Sequence, residues 1–190
     1  MSSVPTTTYF VDTKASSSTP TRILVSSCLL GKPVRYDGSA STATSEILDR
    51  WIEDGRVVSF CPEIAGGLPV PRPPAEIIGD GGEAVLRSEA RVVDESAQDI
   101  THYFIQGAQL ALNTALAEGV EVAVLKDGSP SCGSTFTHDG GFSGATRAGM
   151  GVTTALLEQN GIKVFSEELL TEAEEYVGVL DASATNREGS

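Results

Sequence analysis

The chain has 190 residues, with 13 Lys and Arg against 26 Asp and Glu and a formal net charge of -13. That length suits one α/β domain with a core of useful size, and basic residues so few and scattered argue against stable binding to nucleic acid. No apolar run approaches the ~18 residues of a membrane span, so no membrane partner is expected and a small-molecule ligand is.

Residues 1–20 are rich in Ser and Thr and lack the basic start and apolar centre of a signal peptide. They are read as a disordered tail, and the protein as cytoplasmic, where thiols stay reduced. The domain proper is expected over residues 21–180. Arg22 to Ser26 (RILVS) is a β-prone run with Cys28 just after it, and a helix is expected from about Ser41 to Glu53, with Ile47, Leu48, Trp51 and Ile52 on one side. Val57 to Phe60 (VVSF) is the second run, with Cys61 at its end. Residues 66–82 are crowded with Pro and Gly and read as an irregular surface excursion of the kind that borders sites; Arg72 in it is expected to pair with Glu76. A long helix is expected from about Ser96 to Glu118. Val120 to Leu125 (VEVAVL) is the third run, and Cys132 lies in the Gly/Ser/Pro loop that follows. A helix over about Gly151 to Gln159 stops at Asn160-Gly161. Ile162 to Phe165 (IKVF) is the fourth run, and a last helix over about Glu167 to Val177 takes Ser166 as N-cap. Residues 181–190 are read as a second tail.

Short apolar strands alternating with helices predict an α/β fold: one mostly parallel sheet with helices on both faces. Ligands of such sheets bind outside the carboxyl ends of the strands. Cys28, Cys61 and Cys132 each sit at or just after such an end. Three is an odd number, which suits no disulfide framework. Cys is also a common buried residue, there is no CxxC pair, and the thiols alone leave packing, zinc and iron open. Zinc held by three thiolates needs a fourth ligand; His102 falls in the long helix and His138 in a polar loop. A [4Fe-4S] cluster on three thiolates keeps one iron open, a Lewis acid. In Cys61-Pro62-Glu63 a carboxylate sits two residues from a thiol, where it is suited to proton transfer. In Lys126-Asp127-Gly128-Ser129-Pro130-Ser131-Cys132-Gly133, hydroxyls and amides crowd the third thiol. Such groups hydrogen-bond cluster sulfurs, orient a substrate, or simply build a turn. Tyr36-Asp37-Gly38 is likewise a substrate contact or a turn. Asp37, Lys126 and Ser131 are the candidate substrate-binding residues.

The blocks VSSCLLGKPVRYDG, FCPEIAGGLPVPRPPAEI, VLKDGSPSCGS and GVTTALLEQNGIKVFSEE resemble, in that order, the 2-thiouracil desulfidase family. The resemblance covers about Arg22 to Glu168. It implies a single Rossmann-like domain whose Cys28, Cys61 and Cys132 bind a [4Fe-4S] cluster, with Glu63 and Ser129 as catalytic residues. The implied activity is hydrolytic removal of sulfur, as hydrosulfide, from a thiolated pyrimidine base or nucleoside. An iron-sulfur or zinc binding module without catalysis is the alternative from another class.

Overall fold

The structure is a computed structural model and describes residues 20–188; all but the last residue of the tail expected over 1–20 lies outside the described residues. In chain order the elements are β1 (Arg22–Ser26), α1 (Glu46–Glu53), β2 (Val57–Phe60), α2 (Pro62–Ala65), β3 (Ala75–Ile78), α3 (Gly81–Leu86) and β4 (Arg91–Asp94). There follow α4 (Thr101–Ala117), β5 (Val120–Leu125), β6 (Phe136–His138), β7 (Thr146–Ala148), α5 (Val152–Gln159), β8 (Lys163–Ser166) and α6 (Leu170–Glu188). Among the described residues no helix is long and apolar enough to cross a membrane.

The four strands read as apolar runs form one parallel sheet in the order β2-β1-β5-β8. Alternate residues face opposite ways, as strand geometry requires. Ile23, Val25, Val122 and Val124 pack on one side against Leu48 and Trp51 of α1 and Ala173 and Val177 of α6. Leu24, Ala123 and Leu125 pack on the other against Leu112 and Ala115 of α4 and Leu157 of α5. This is the expected α/β, Rossmann-like arrangement with helices on both faces. From β1 the chain moves outward to β2, then returns past β1 to β5 and β8. The order therefore reverses between β1 and β5, and the crevice at such a switch point is where these sheets bind ligands.

Several boundaries differ from those expected. α1 begins at Glu46 because Ser45 is its N-cap, its Oγ accepting from Ile47 N at 3.2 Å. Upstream, Ser41 N and Ala43 N donate to the carbonyls of Cys28 and Leu29, which holds that stretch extended along the first cysteine. Ile52, expected on the buried side, is 49% exposed. The excursion over residues 66–82 contains β3, which pairs antiparallel with β4; the pair packs its Ile77 and Val92 against Phe104 and Ala108 of α4. The chain does not loosen at Asp181. α6 continues to Glu188, because the Asp181 carboxylate accepts from Thr21 N at 2.9 Å, Thr21 Oγ1 at 2.6 Å and Arg56 Nη1 at 2.7 Å.

The short helix α2 rides directly on α4. A Cβ on Gly66 would lie 2.2 Å from the Tyr103 carbonyl oxygen, and one on Gly107 would lie 2.2 Å from the Pro62 carbonyl oxygen. Two glycines thus let two backbones touch, and this contact sets the height of Cys61 and Glu63 above the sheet. Gly107→Ala should stabilise an isolated helix by about 1 kcal/mol. Here it must instead displace α2, and a net loss of about 1–3 kcal/mol is expected. Urea unfolding checks the sign: a more stable variant would mean that the contact yields freely.

Candidate functional site

Three strand ends deliver the thiols to one place. Cys28 follows β1, Cys61 caps α2 immediately after β2, and Cys132 lies in the loop after β5. All three line a single cavity of about 760 Å³, together with Glu63, Arg72, Lys126, Ser129 and His138. All three are free thiols, and burial pushes each up, Cys28 to about 11 with help from the charge of Cys61. Cys61 is raised by burial, with Glu63 adding to it. Cys132 is raised furthest, by burial and then by Glu63, Cys61 and Cys28. Cys28 and Cys132 therefore both feel the charge of Cys61. Among the described residues no three His, Cys, Asp or Glu side chains close on one point as a single metal ion requires. A multi-iron cluster is larger than an ion and takes its thiolates from further apart. An all-sulfur donor set, spread around one cavity, fits it.

Glu63 stands on the first turn of α2 and its two oxygens have different company. Oε2 accepts from Arg72 Nε at 2.9 Å and from Arg72 Nη2 at 2.7 Å. Oε1 accepts from Ser129 Oγ at 3.2 Å. The expected pairing of Arg72 with Glu76 is thus not formed. Glu76 is buried in another part of the same cavity's wall and accepts from Gly140 N and Phe142 N at the tip of the β6–β7 hairpin. Ser129 Oγ also accepts from Ser131 N at 3.0 Å and Cys132 N at 3.2 Å. One hydroxyl therefore links the carboxylate of α2 to the backbone of the third thiol.

The candidate substrate-binding residues are divided by the structure. Lys126 lines the cavity, but its Nζ is paired with Glu167. Asp37 does not line it: its exposed carboxylate turns back to accept from Ser39 N and Ser39 Oγ, which hold it below the usual carboxylate range. That is the turn left open as the other reading of this tripeptide. Ser131 is also outside the cavity. It is fully buried behind the loop, with its Oγ bonded to Thr153 Oγ1 at 2.8 Å, tying the loop to α5. Of the histidines, His102 is exposed on α4, and its ring lies 3.8 Å from that of Tyr103. His138 belongs to a strand, not a loop; it faces the cavity, and its buried Nδ1 has no hydrogen-bond partner.

Asp127, inside the motif that carries the third thiol, braces its loop. Its Oδ1 accepts from the backbone N–H groups of Gly128, Ser134 and Thr135, and its Oδ2 from Thr135 Oγ1. This single buried carboxylate gathers the whole loop that carries Ser129 and Cys132. The available signal was an Asp-Gly pair opening a loop dense in amides and hydroxyls. Burial raises its pKa, but the bonds from Thr135, Ser134 and Gly128 outweigh burial and leave it below 3.8. A depressed carboxylate supports the fold above its unfolded value and ceases to as pH falls through its folded value. Asp127→Asn should therefore cost about 1–3 kcal/mol at neutral pH, and the gap from wild type should narrow below about pH 4. Unfolding midpoints against pH measure this; a gap constant down to pH 2 would exclude the role.

A model described as 2-thiouracil desulfurase matches residues 23–169. The uncharacterized protein YbbK of Bacillus subtilis (strain 168) is 45% identical over 150 residues, covering 79% of this chain and 98% of YbbK. Among solved structures, a [4Fe-4S]-dependent thiouracil desulfidase, TudS, matches at a TM-score of 0.77 and 49% identity, over 84% of this chain and 99% of that one. The family match spans all four strands of the sheet and all three thiols, so the chain belongs to the 2-thiouracil desulfurase family.

Proposed function

We propose that this protein is a [4Fe-4S]-dependent desulfidase that removes sulfur from thiouracil or a closely similar thiolated pyrimidine, and that it does so by hydrolysis. The observation that carries the reading is the joint lining of one cavity by Cys28, Cys61, Cys132 and the hydrogen-bonded pair Glu63–Ser129. Cys28, Cys61 and Cys132 would hold the cluster. Bound to three thiolates it supplies an iron with a vacant position, a Lewis acid of a kind that favours sulfur ligands.

The chain's own residues then have defined tasks. Glu63 Oε1 takes a proton from water, whose oxygen bonds to the carbon of the C=S group. Ser129 Oγ, tied by two N–H groups to the loop backbone, donates to Glu63 Oε1 and so holds the oxygen that takes this proton in place. Glu63 returns the proton as the C–S bond breaks. Water and thiocarbonyl become carbonyl and hydrosulfide, with one proton released and no electron gained or lost, so no reductase is needed.

Anaerobic purification tests the reading. A brown protein with about four irons and four labile sulfides per chain is expected, releasing sulfide and uracil from 2-thiouracil in equal amounts. A colourless protein that leaves 2-thiouracil intact under the same conditions would overturn it.

A further inference from the structure

Arg72 belongs neither to the thiols nor to the Glu63–Ser129 pair, yet all its donors but one N–H direction are engaged around that pair. Its side chain is only 5% exposed. Nε and Nη2 both donate to Glu63 Oε2, at 2.9 and 2.7 Å. Nη2 also donates to the Val34 carbonyl and Nη1 to the Pro69 carbonyl, each at 3.1 Å. Its backbone N–H donates to the Tyr36 carbonyl at 2.8 Å. The guanidinium plane is thereby fixed between the loop that carries Cys28 and the helix that carries Glu63.

A glutamate carboxylate turns broadly about its last torsion, and its two oxygens exchange places. Two N–H groups on a single oxygen remove that freedom. We propose that Arg72 is a positioning residue for the desulfidation reaction. It clamps Glu63 Oε2 so that Oε1 alone, beside Ser129 Oγ, is presented to water and substrate. The inference rests on the role proposed above for Glu63. A lysine could supply the charge but not the planar fork that reaches Glu63 and two carbonyls together.

The test compares wild-type, R72M, R72K, E63Q and R72M/E63Q holoproteins. For R72M, kcat for sulfide release from 2-thiouracil is expected to fall about 100-fold, with KM and cluster content nearly unchanged. R72K should lie between. In the E63Q background R72M should lower kcat less than about twofold, because the group it positions is already gone. A crystal structure of R72M gives a readout apart from turnover: Glu63 Oε1 is expected to leave hydrogen-bond distance of Ser129 Oγ. Wild-type kcat in R72M, a full further loss on top of E63Q, or a Glu63 carboxylate unmoved in the crystal would each overturn the proposal. Should R72M fail to fold, R72K decides by the same kcat and crystal readouts. A wild-type protein that holds its cluster but releases no sulfide would refute the function proposed above, while the crystal readout still decides the clamp.

Discussion

Glu63→Gln is expected to keep the cluster content of the wild type and to lose turnover by about 100- to 10,000-fold, the range over which a positioned acid/base group contributes. The amide has nearly the carboxylate's shape, so α2 keeps its place. What it lacks is a basic oxygen at the position where Oε1 stands, 3.2 Å from Ser129 Oγ. The loss should therefore fall on kcat and not on KM. The substitution also leaves Arg72, whose side chain is 5% exposed, facing a neutral group. Loss of that charge-assisted bond should lower stability by about 1–3 kcal/mol, so turnover is measured well below the unfolding midpoint. An E63Q protein working at the normal rate would show that another group moves the proton.

Cys132→Ala is expected to yield a folded protein without an intact cluster, and hence without activity. Cys132 is the least exposed of the three thiols, and its backbone is held by Ser129. Shortening the buried CH2SH side chain to CH3 leaves a small void that a domain of this size tolerates. Removing one of three thiolates leaves too few donors for a four-iron cluster. Iron and labile sulfide per chain, measured beside the far-ultraviolet circular dichroism of the same sample, separate loss of cluster from loss of fold. Full brown colour in the variant would exclude Cys132 as a ligand.

The two central parallel strands were legible because they are buried on both faces. β1 and β5 are nearly continuous apolar runs, and both lie in the sheet's centre with almost every side chain enclosed. β3 and β4 (AEII and RVVD) cover a small separate lobe and carry charges, so no strong period marks them. β6 and β7 have three residues each, too few for any alternation to stand out. The end of α6 leaves no mark in the sequence for a related reason. Its last turns are polar, and they are anchored by Asp181 to Thr21 and Arg56, partners 160 and 125 residues away.

The sequence by itself determined the order of strands and helices, the placing of three cysteines at strand ends, and the motifs that carry the family resemblance. All of these are local patterns: apolar runs, turn residues and fixed spacings along the chain. Only the tertiary structure decided which charges meet. Arg72 pairs with Glu63 and not with Glu76; Lys126 is held by Glu167; Asp37 and Ser131 turn away from the cavity that Lys126 and Ser129 line. The physical reason is reach. Long charged side chains can join any partner that the path of a Pro- and Gly-rich loop brings near, and that path is set by backbone packing such as the approach of Gly66 and Gly107 between α2 and α4. Spacing along the chain carries no record of it.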